Sequence, residues 1–423
     1  MKGFLEKLPK ILLILLLILI PTQLGKHFWF EWSYLLGIRI DYLSPTLYLI
    51  DFVWLGLFIL NLIKSSVSTS STSPLKKETF LKFKYLVILG FVGVNILMAK
   101  DWQVAGYKWF RIWQLIWFIW YVAKRKKVVE KLLIYIVPCW IIVESLLAVG
   151  QISSGGSLNG IWWWLGERSF SFNTIGIAQM SIAGNGLIRA YGTFSHPNSL
   201  AGFLLVSLIL WWRTKPTLPS LENGGLRNVY WWGVSWLGLA GIILTGSRTI
   251  WILTFVLVIF GFFRNLKNKR IFWFGGGIVV LITLMIWIIN FNYPIGNFLG
   301  GWDENGWIKR SQLNMAALEM IKKSPLVGVG MGNFLVNLPE FQQNNQIFWL
   351  QPVHNILLLL ASEIGLLGLG IVVWVINNFL KNKKIEKNWL LIFGVKLVSG
   401  MVDHYWLTLP QNMWLLALIL GIV

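Results

Sequence analysis

The sequence predicts an all-α polytopic membrane protein of about twelve transmembrane helices, with a large extracytoplasmic loop that contains an amphipathic helix. Hydrophobic residues make up 56% of the 423 positions and charged residues only 13%, well below the share in soluble domains. The apolar runs are continuous rather than alternating, which indicates helices and not the strands of a membrane barrel. The 27 Trp residues suit the two interfacial belts of such a protein.

Apolar runs of spanning or nearly spanning length follow one another along the chain, and each predicts one helix. They lie near residues 11–20, 45–63, 84–99, 105–123, 131–150, 197–213, 230–246, 248–264, 271–290, 353–380, 388–402 and 404–423. The first run follows three lysines and precedes no small-residue cleavage site, so it is interpreted as an uncleaved span.

The distribution of basic residues predicts that both termini are cytoplasmic. With this orientation the inner segments hold about twice as many Lys and Arg residues as the outer ones. The long loops 151–197 and 291–352 are then outside the cytoplasmic membrane. The net charge of +20 is spread over short loops on alternate sides, so it indicates the positive-inside pattern and not a nucleic-acid-binding face. The single cysteine, Cys139, lies inside an apolar run and predicts neither a disulfide nor a thiolate metal site.

The loops divide the chain into three parts. The predicted parts are the first five helices (1–150), a motif-bearing core (151–370, with outer loop 151–197, helices 197–290, outer loop 291–352 and a helix from 353), and the C-terminal helices (371–423). Charged residues inside predicted spans are costly without partners. Such residues are Asp51, Glu144, Glu363 and Lys396, and the sequence does not assign a role to them.

Three arginines are predicted at the outer membrane boundary. Arg189 precedes a turn-rich segment, with Tyr191 beside it, next to a helix whose N-cap is predicted to be Asn198 or Ser199. Arg248 lies in a tight turn between two apolar runs. Exposed N–H groups at a helix start and arginine guanidinium groups both favour phosphate.

The third arginine, Arg310, lies in the large outer loop. An amphipathic helix is predicted from about Asn305 to Lys323, and its apolar face contains Trp307, Leu313, Ala317 and Ile321. Arg310 and Asn314 share another face of this helix because they are four residues apart.

His354 opens the following apolar run, and an imidazole there can serve as a general base. The sequence therefore offers cations for a phosphorylated leaving group and a base for a hydroxyl nucleophile. It contains no motif for a divalent metal, so metal-independent transfer without a cofactor is predicted. Each residue also has a simpler interpretation: an interfacial arginine can be an anchor, and a lone histidine can be a cap or packing residue. His196 and His404 are assigned to this simpler interpretation, a cap or packing residue.

Four ordered segments resemble the O-antigen ligase and O-antigen polymerase family of bacterial inner-membrane proteins. They are RAYGTFSHPNSLAGF, LTGSRTIW, SPLVGVGMGNF and PVHNILLLLASEIGLLG, within residues 185–370. The resemblance implies transfer of a glycan from undecaprenyl diphosphate to an acceptor hydroxyl, on a lipid or a glycan, at the outer membrane face. It implies diphosphate-binding roles for Arg189 and Arg310 and acceptor activation by His354. Arg248 is added to the diphosphate set on charge alone.

Tyr191, Asn198 and Asn355 are expected to support these residues. The sequence does not separate ligase, polymerase and protein-glycosylating relatives of the family. The alternative function is a transporter or flippase of an anionic glycolipid, which predicts broken helices near the middle of the membrane.

Overall fold

The computed structural model of the protein describes residues 2–67, 76–182, 185–213, 224–264, 304–342, 349–381 and 387–423. Most of these residues are helical, as predicted. The predicted run at 271–290 and the beginning of the large outer loop, 291–303, lie outside the described residues.

The helices follow the apolar runs closely. Those of the first half are α1 Lys2–Ile18, α2 Leu49–Val67, α3 Lys76–Leu97, α4 Trp102–Ala123, α5 Lys126–Ser154, the short α6 Ile161–Trp164 and α7 Pro197–Arg213. Those of the second half are α8 Gly224–Leu244, α9 Arg248–Arg264, α10 Glu304–Lys323, the short α11 Phe334–Asn337, α12 Ile356–Leu380, α13 Lys387–Gly400, the short α14 Tyr405–Thr408 and α15 Pro410–Ile422.

The prediction of a purely α-helical chain is wrong for two loops, which contain short antiparallel strand pairs. The strands are β1 Gly25–His27, paired with β4 Thr46–Tyr48; β2 Tyr34–Leu35, paired with β3 Ile38–Arg39; and β5 Gln179–Ile182, paired with β6 Asn185–Ile188. Backbone N–H and C=O groups need partners even in a connecting loop, and these ladders supply them. Two- to four-residue strands are too short to leave a periodic signal in the sequence.

The described residues group into two units, and each unit is discontinuous in sequence. The first unit comprises Met1–Leu132, Arg310–Trp389 and Gly400–Val423, and the second comprises Leu133–Lys309 and Leu390–Ser399. The sequence-order division into 1–150, 151–370 and 371–423 stays a prediction.

Among the described residues, two helices are individually long and apolar enough to cross a membrane: Lys126–Ser154 and Ile356–Asn378. Shorter apolar helices are Tyr85–Leu97, Val229–Leu244, Arg248–Ile259, Trp389–Gly400 and Pro410–Ile422. Twelve spans, and the orientation of the termini, stay predictions.

In the first unit, the last helix α15 packs along α4. The rings of Phe118 and Trp414 meet edge to face at 4.9 Å, and Gly421 lets the two helices approach at Val122. A second cluster joins buried residues of α10, α11 and α12 to Ile40 and Leu43 of the first loop. This cluster includes Val353 and supports the candidate site of this unit.

Two predicted continuous helices are interrupted. Helix α12 is broken at Gly365, whose φ of 64° and ψ of −176° are not helical. The run predicted at 404–423 is divided at Leu409, which is extended because it precedes Pro410. Apolar periodicity detects neither interruption, since every residue near the breaks except the proline is compatible with a helix.

The carboxylates predicted inside spans are buried and accept hydrogen bonds. Asp51 accepts from the backbone N–H of Tyr48 at 2.8 Å and pairs with Arg111 at 2.5 Å. Glu144 accepts from the backbone N–H of Thr193 at 3.0 Å and from its hydroxyl at 2.7 Å. These carboxylates therefore hold the loop or strand beside their helix as well as satisfying their own charge.

Candidate active site

His354 lies directly before helix α12, between a buried residue and the helix cap. Val353 is fully buried in the cluster that joins α10, α11 and α12 to the first loop. The Asn355 side chain caps α12 by accepting the backbone N–H groups of Leu357 and Leu358, at 2.9 and 3.2 Å. Both neighbours are therefore fixed, so the backbone of His354 has little freedom. Its side chain remains 20% exposed.

Two residues from the end of the chain lie against the His354 ring. The Nδ1 atom of His354 is 3.8 Å from Oδ1 of Asp403 and makes no hydrogen bond among the described residues. The His404 ring stacks on the His354 ring with centroids 5.2 Å apart and planes inclined by 29°. Because Asp403 faces Nδ1, the other ring nitrogen, Nε2, is the atom suited to accept a proton from a substrate.

His404 is itself held on two sides. Its Nδ1 lies 2.7 Å from the Thr408 hydroxyl, and Tyr42 meets its ring edge to face at 5.6 Å. His404 thus forms a fixed wall against which the His354 ring packs. The assignment of His404 to packing, made from the sequence, missed that its packing partner is the candidate base.

The ligating atoms of His354, Asp403 and His404 lie within 4.8 Å of one another, so these residue types could approach a divalent ion such as zinc. Imidazole lone pairs lie in the ring plane, however. The nearly parallel planes of the stacked rings direct those lone pairs side by side rather than toward one point. The geometry suits a general base with a carboxylate partner better than a metal centre.

Arg310 lies on α10, exposed to solvent. The predicted amphipathic helix is confirmed and begins one residue earlier than expected, at Glu304. Leu313 and Ala317 are buried as predicted, in the same cluster as Val353. A hydrogen bond of 2.7 Å from Trp349 Nε1 to Gln312 joins α10 to the segment that leads into His354. Arg310 and His354 are therefore supported by one core.

In the second unit, Arg189 is oriented by two hydrogen bonds. Its Nε donates to the carbonyl of Thr245 at 2.6 Å, and its Nη2 donates to Oδ1 of Asn198 at 2.5 Å. The first contact brings Arg189 to the turn between α8 and α9, and Arg248 begins α9 with an exposed side chain. Arg189, Asn198 and the turn that bears Arg248 thus meet in this unit.

The N-cap prediction for α7 is wrong. The helix begins at Pro197, and the ring nitrogen Nδ1 of His196 accepts the backbone N–H of Asn198 at 3.2 Å. The Asn198 side chain is thereby left to bind Arg189. Proline at the first helical position fixes the backbone, and the cap lies at His196, two or three residues upstream of the predicted one.

Tyr191 anchors the segment that contains Arg189. It is buried, and its hydroxyl accepts the backbone N–H of Ala178 at 2.8 Å. Burial raises the pKa of the Tyr191 hydroxyl, so it stays protonated. The backbone N–H groups of Tyr191 and Gly192 both donate to Gln151, at 2.9 and 2.8 Å. This geometry supports a structural role for Tyr191 and does not support a role in proton transfer.

The sequence did not identify Asp403, His404 or Gln151 as part of the site. The first two left one signal, an adjacent acid and histidine inside an apolar region, where polar residues usually have a function. Gln151 left none, since a glutamine at a helix end is common. Whether Arg189 and Arg248 converge with Arg310 and His354 stays a prediction, because the two sets belong to different units.

A family model described as O-antigen ligase matches residues 233–373. This chain carries an O-antigen ligase family domain. The O-antigen ligase match runs from within α8 into α12 and includes Arg248, Arg310, His354 and Asn355. The resemblance seen in the sequence is thereby confirmed. Arg189, Asn198 and Asp403 lie outside the matched residues. None of the curated proteins compared with the chain matches it.

O-antigen ligases and polymerases are glycosyltransferase-like proteins of the bacterial inner membrane, and they act on lipid-linked glycans. The O-antigen ligase domain therefore gives the chain a general function in glycan transfer.

Proposed function

We propose that the protein transfers a glycan from an undecaprenyl-diphosphate carrier to an acceptor hydroxyl at the outer face of the cytoplasmic membrane. The reaction inverts the anomeric centre and uses no metal. The observation that carries the proposal is the His354 ring inside the O-antigen ligase domain, with its buried Nδ1 facing Asp403 at 3.8 Å.

In the proposed step, Nε2 of His354 takes the proton of the acceptor hydroxyl as its oxygen attacks the anomeric carbon. The new carbon–oxygen bond forms opposite the bond to phosphate, which breaks. The electron pair of that bond leaves on the diphosphate. Asp403 then faces an imidazolium and stabilises its charge, as a carboxylate does for a catalytic histidine. General base catalysis of this kind contributes about 10²- to 10⁴-fold to the rate.

Arg189, Arg310 and Arg248 are proposed to bind the diphosphate and to stabilise the negative charge that develops on it. The hydrogen bonds of Arg189 to Asn198 and Thr245 support this role, because they fix the guanidinium in advance. Exposure supports it for Arg310 and Arg248, since a charged lipid headgroup can reach both side chains.

One observation favours the alternative of a glycolipid transporter: α12 is broken at Gly365, and transporters bind substrates at broken helices. The break, however, is occupied by another segment of the chain, whose N–H groups bind the carbonyls freed by the break. A filled break offers no path to a substrate, so glycan transfer remains the better-supported function.

The test uses the purified full chain in lipid vesicles with a synthetic undecaprenyl-diphosphate-linked oligosaccharide. Lipid A core and a second lipid-linked repeat are supplied as separate acceptors, and formation of a new glycosidic bond is measured. His354→Ala is expected to reduce kcat by at least about 10²-fold. His27→Ala is the matched control: this histidine binds Ser44 and Thr46 in the first loop, and the proposed step does not use it.

Full activity of the His354→Ala protein would refute the role of this residue. Loss of wild-type activity in excess EDTA would favour a metal bound by His354, Asp403 and His404. Movement of the intact glycolipid across the bilayer, with no bond formed, would favour the transporter. The acceptor that is used separates a ligase from a polymerase.

A further inference from the structure

The break in α12 is filled by the glycine-rich segment Pro325–Phe334, which we call the plug. The N–H groups of Val329 and Gly330 donate to the carbonyls of Ser362 and Glu363, at 2.8 and 3.0 Å. In the opposite direction, Leu366 and Leu367 donate to the carbonyls of Pro325 and Leu326, at 2.8 and 3.0 Å. Four bonds to the plug thus lie on the two sides of the break.

The plug fits the break without free space. A Cβ on Gly328 would lie 2.5 Å from the backbone carbon of Glu363 and 2.6 Å from the nitrogen of Gly365. Gly328 and Gly365 both have positive φ, 75° and 64°, which side chains rarely tolerate. The contact is therefore between bare backbones, and its position allows little adjustment.

Asn95 on α3 binds the plug and the helix at once. Its Nδ2 donates to the carbonyls of Val327 and Glu363, at 2.8 and 3.0 Å. Its Oδ1 accepts the backbone N–H of Met331 at 3.0 Å and the Trp109 indole N–H at 2.8 Å. All of these groups are internal to the first unit, and Asn95 itself is fully buried. The amide of Asn95 is thus fully used at this junction.

The buried carboxylate of Glu363 closes the junction from the other side. It accepts the backbone N–H groups of Gly332 and Phe334 in the plug and interacts electrostatically with Lys108 of α4. Phe334 belongs to the cluster that also holds α10 and Val353. Arg310 belongs to α10, and the plug follows the C-terminal end of this helix. The plug therefore connects α10 to α12, the helix that follows His354.

We propose that Asn95 is a positioning residue for glycan transfer: it locks the plug into the α12 break and thereby fixes α10, with Arg310, relative to His354. The proposal rests on the proposed function, which assigns those two residues. Loss of the amide removes a joint between the two helices and leaves both helices otherwise intact. Misplacement by about 1 Å is enough to reduce a reaction rate about 100-fold.

The test compares Asn95→Ala with Gln114→Ala. The second substitution also removes a buried side-chain amide from the first unit, but this amide binds Asp51 and not the plug. Spin labels are attached to cysteines at two exposed positions, Met315 on α10 and Leu357 on α12, after Cys139→Ser. The distribution of label distances is measured by pulsed electron paramagnetic resonance. Asn95→Ala is expected to broaden it, and Gln114→Ala is not.

In the unlabelled proteins, kcat for glycan transfer is expected to fall about 10- to 100-fold in Asn95→Ala with little change in KM, and Gln114→Ala is expected to leave kcat near wild type. An unchanged distance distribution, or equal broadening in the control, overturns the positioning role whatever the activity. Broadening with normal kcat overturns it too. If Asn95→Ala does not fold, Asn95→Ser serves with the same criteria. Failure of the proposed function has a different outcome: the wild-type protein forms no glycosidic bond with either acceptor, whatever the label distances are.

Discussion

At the scale of single residues, the contact between His354 and Asp403 makes the most direct prediction. Asp403→Asn keeps the shape of the side chain and removes the charge that would face a protonated His354. Two opposite unit charges about 4 Å apart attract by roughly 1 kcal/mol in water and by about 4 kcal/mol near a protein surface, so kcat is expected to fall roughly 10- to 100-fold. Steady-state kinetics of purified Asp403→Asn and wild-type protein measure this.

Thermal unfolding of the same Asp403→Asn protein serves as its control, since a fall in kcat without loss of folded protein is required. Asp403→Glu should recover part of the rate, because the charge is restored. A kcat for Asp403→Asn equal to wild type would mean that the carboxylate does not act through His354.

The sequence predicted which residues could perform chemistry but not their contacts. Arg189, Arg310 and His354 stand out because polar groups are few in this chain. Asp403 lies 49 positions after His354, and a separation of that length carries no information about distance. The bond from Asn198 to Arg189 depends on the start of α7 at Pro197, two or three residues before the predicted start, and residue patterns do not locate helix ends that finely.

At the scale of helices and loops, a cluster of charges joins three segments of the first unit. Glu340 accepts hydrogen bonds from Lys100 at 2.5 Å and from Lys323 at 3.2 Å. The bond from Lys100 is the largest cause and the bond from Lys323 the next, and both lower the pKa of Glu340. A lowered folded-state pKa adds stability above the unfolded-state pKa, and that stability is lost as pH falls through the folded-state pKa.

Glu340→Gln is therefore expected to lower the Tm slightly at neutral pH, and this difference is expected to shrink at an acidic pH, where the wild-type carboxylate takes up a proton. The effect is small because the Glu340 side chain is 38% exposed. Differential scanning fluorimetry at both pH values measures it. Glu319→Gln is the matched control, since its pair with Lys322 is long, at 3.9 Å, and more exposed. Equal pH dependence in the two variants would contradict the prediction.

Helix positions could be predicted from the sequence and helix interruptions could not. Continuous apolar runs locate α2, α4 and α5 within a few residues. The break in α12 depends on the plug, which comes from a different part of the chain, so no local pattern near Gly365 indicates it. The glycines of the plug were visible in the sequence, but their use was not apparent.

At the scale of the whole molecule, the packing of α15 on α4 is expected to stabilise the first unit. Trp414 is 1% exposed and packs on Phe118. Trp414→Ala is expected to cost about 3–5 kcal/mol, because a large cavity forms in a packed interior. The Tm in detergent should fall by several degrees. Trp102→Ala is the control, since that side chain on α4 is 61% exposed; an equal fall in both variants would contradict the assignment.

The grouping of helices into two units could not be read from the sequence. Inside a membrane, helix association depends on shape and on polar contacts and not on hydropathy, so equally apolar runs give no preference for one neighbour over another. The close approach of Gly421 to Val122 is such a contact of shape.

The order of synthesis gives the contact between His354 and Asp403 a further meaning. Every residue of the matched O-antigen ligase segment leaves the ribosome before Asp403 and His404 do. A chain that stops after residue 400 would contain the base, the arginines Arg189, Arg248 and Arg310, and the complete plug, yet His354 would have neither its carboxylate nor its stacking partner. On the proposed function such a chain would be inactive, and its α4 would also lose the packing of α15. Residues 401–423, which the family match does not cover, would thus complete the proposed site.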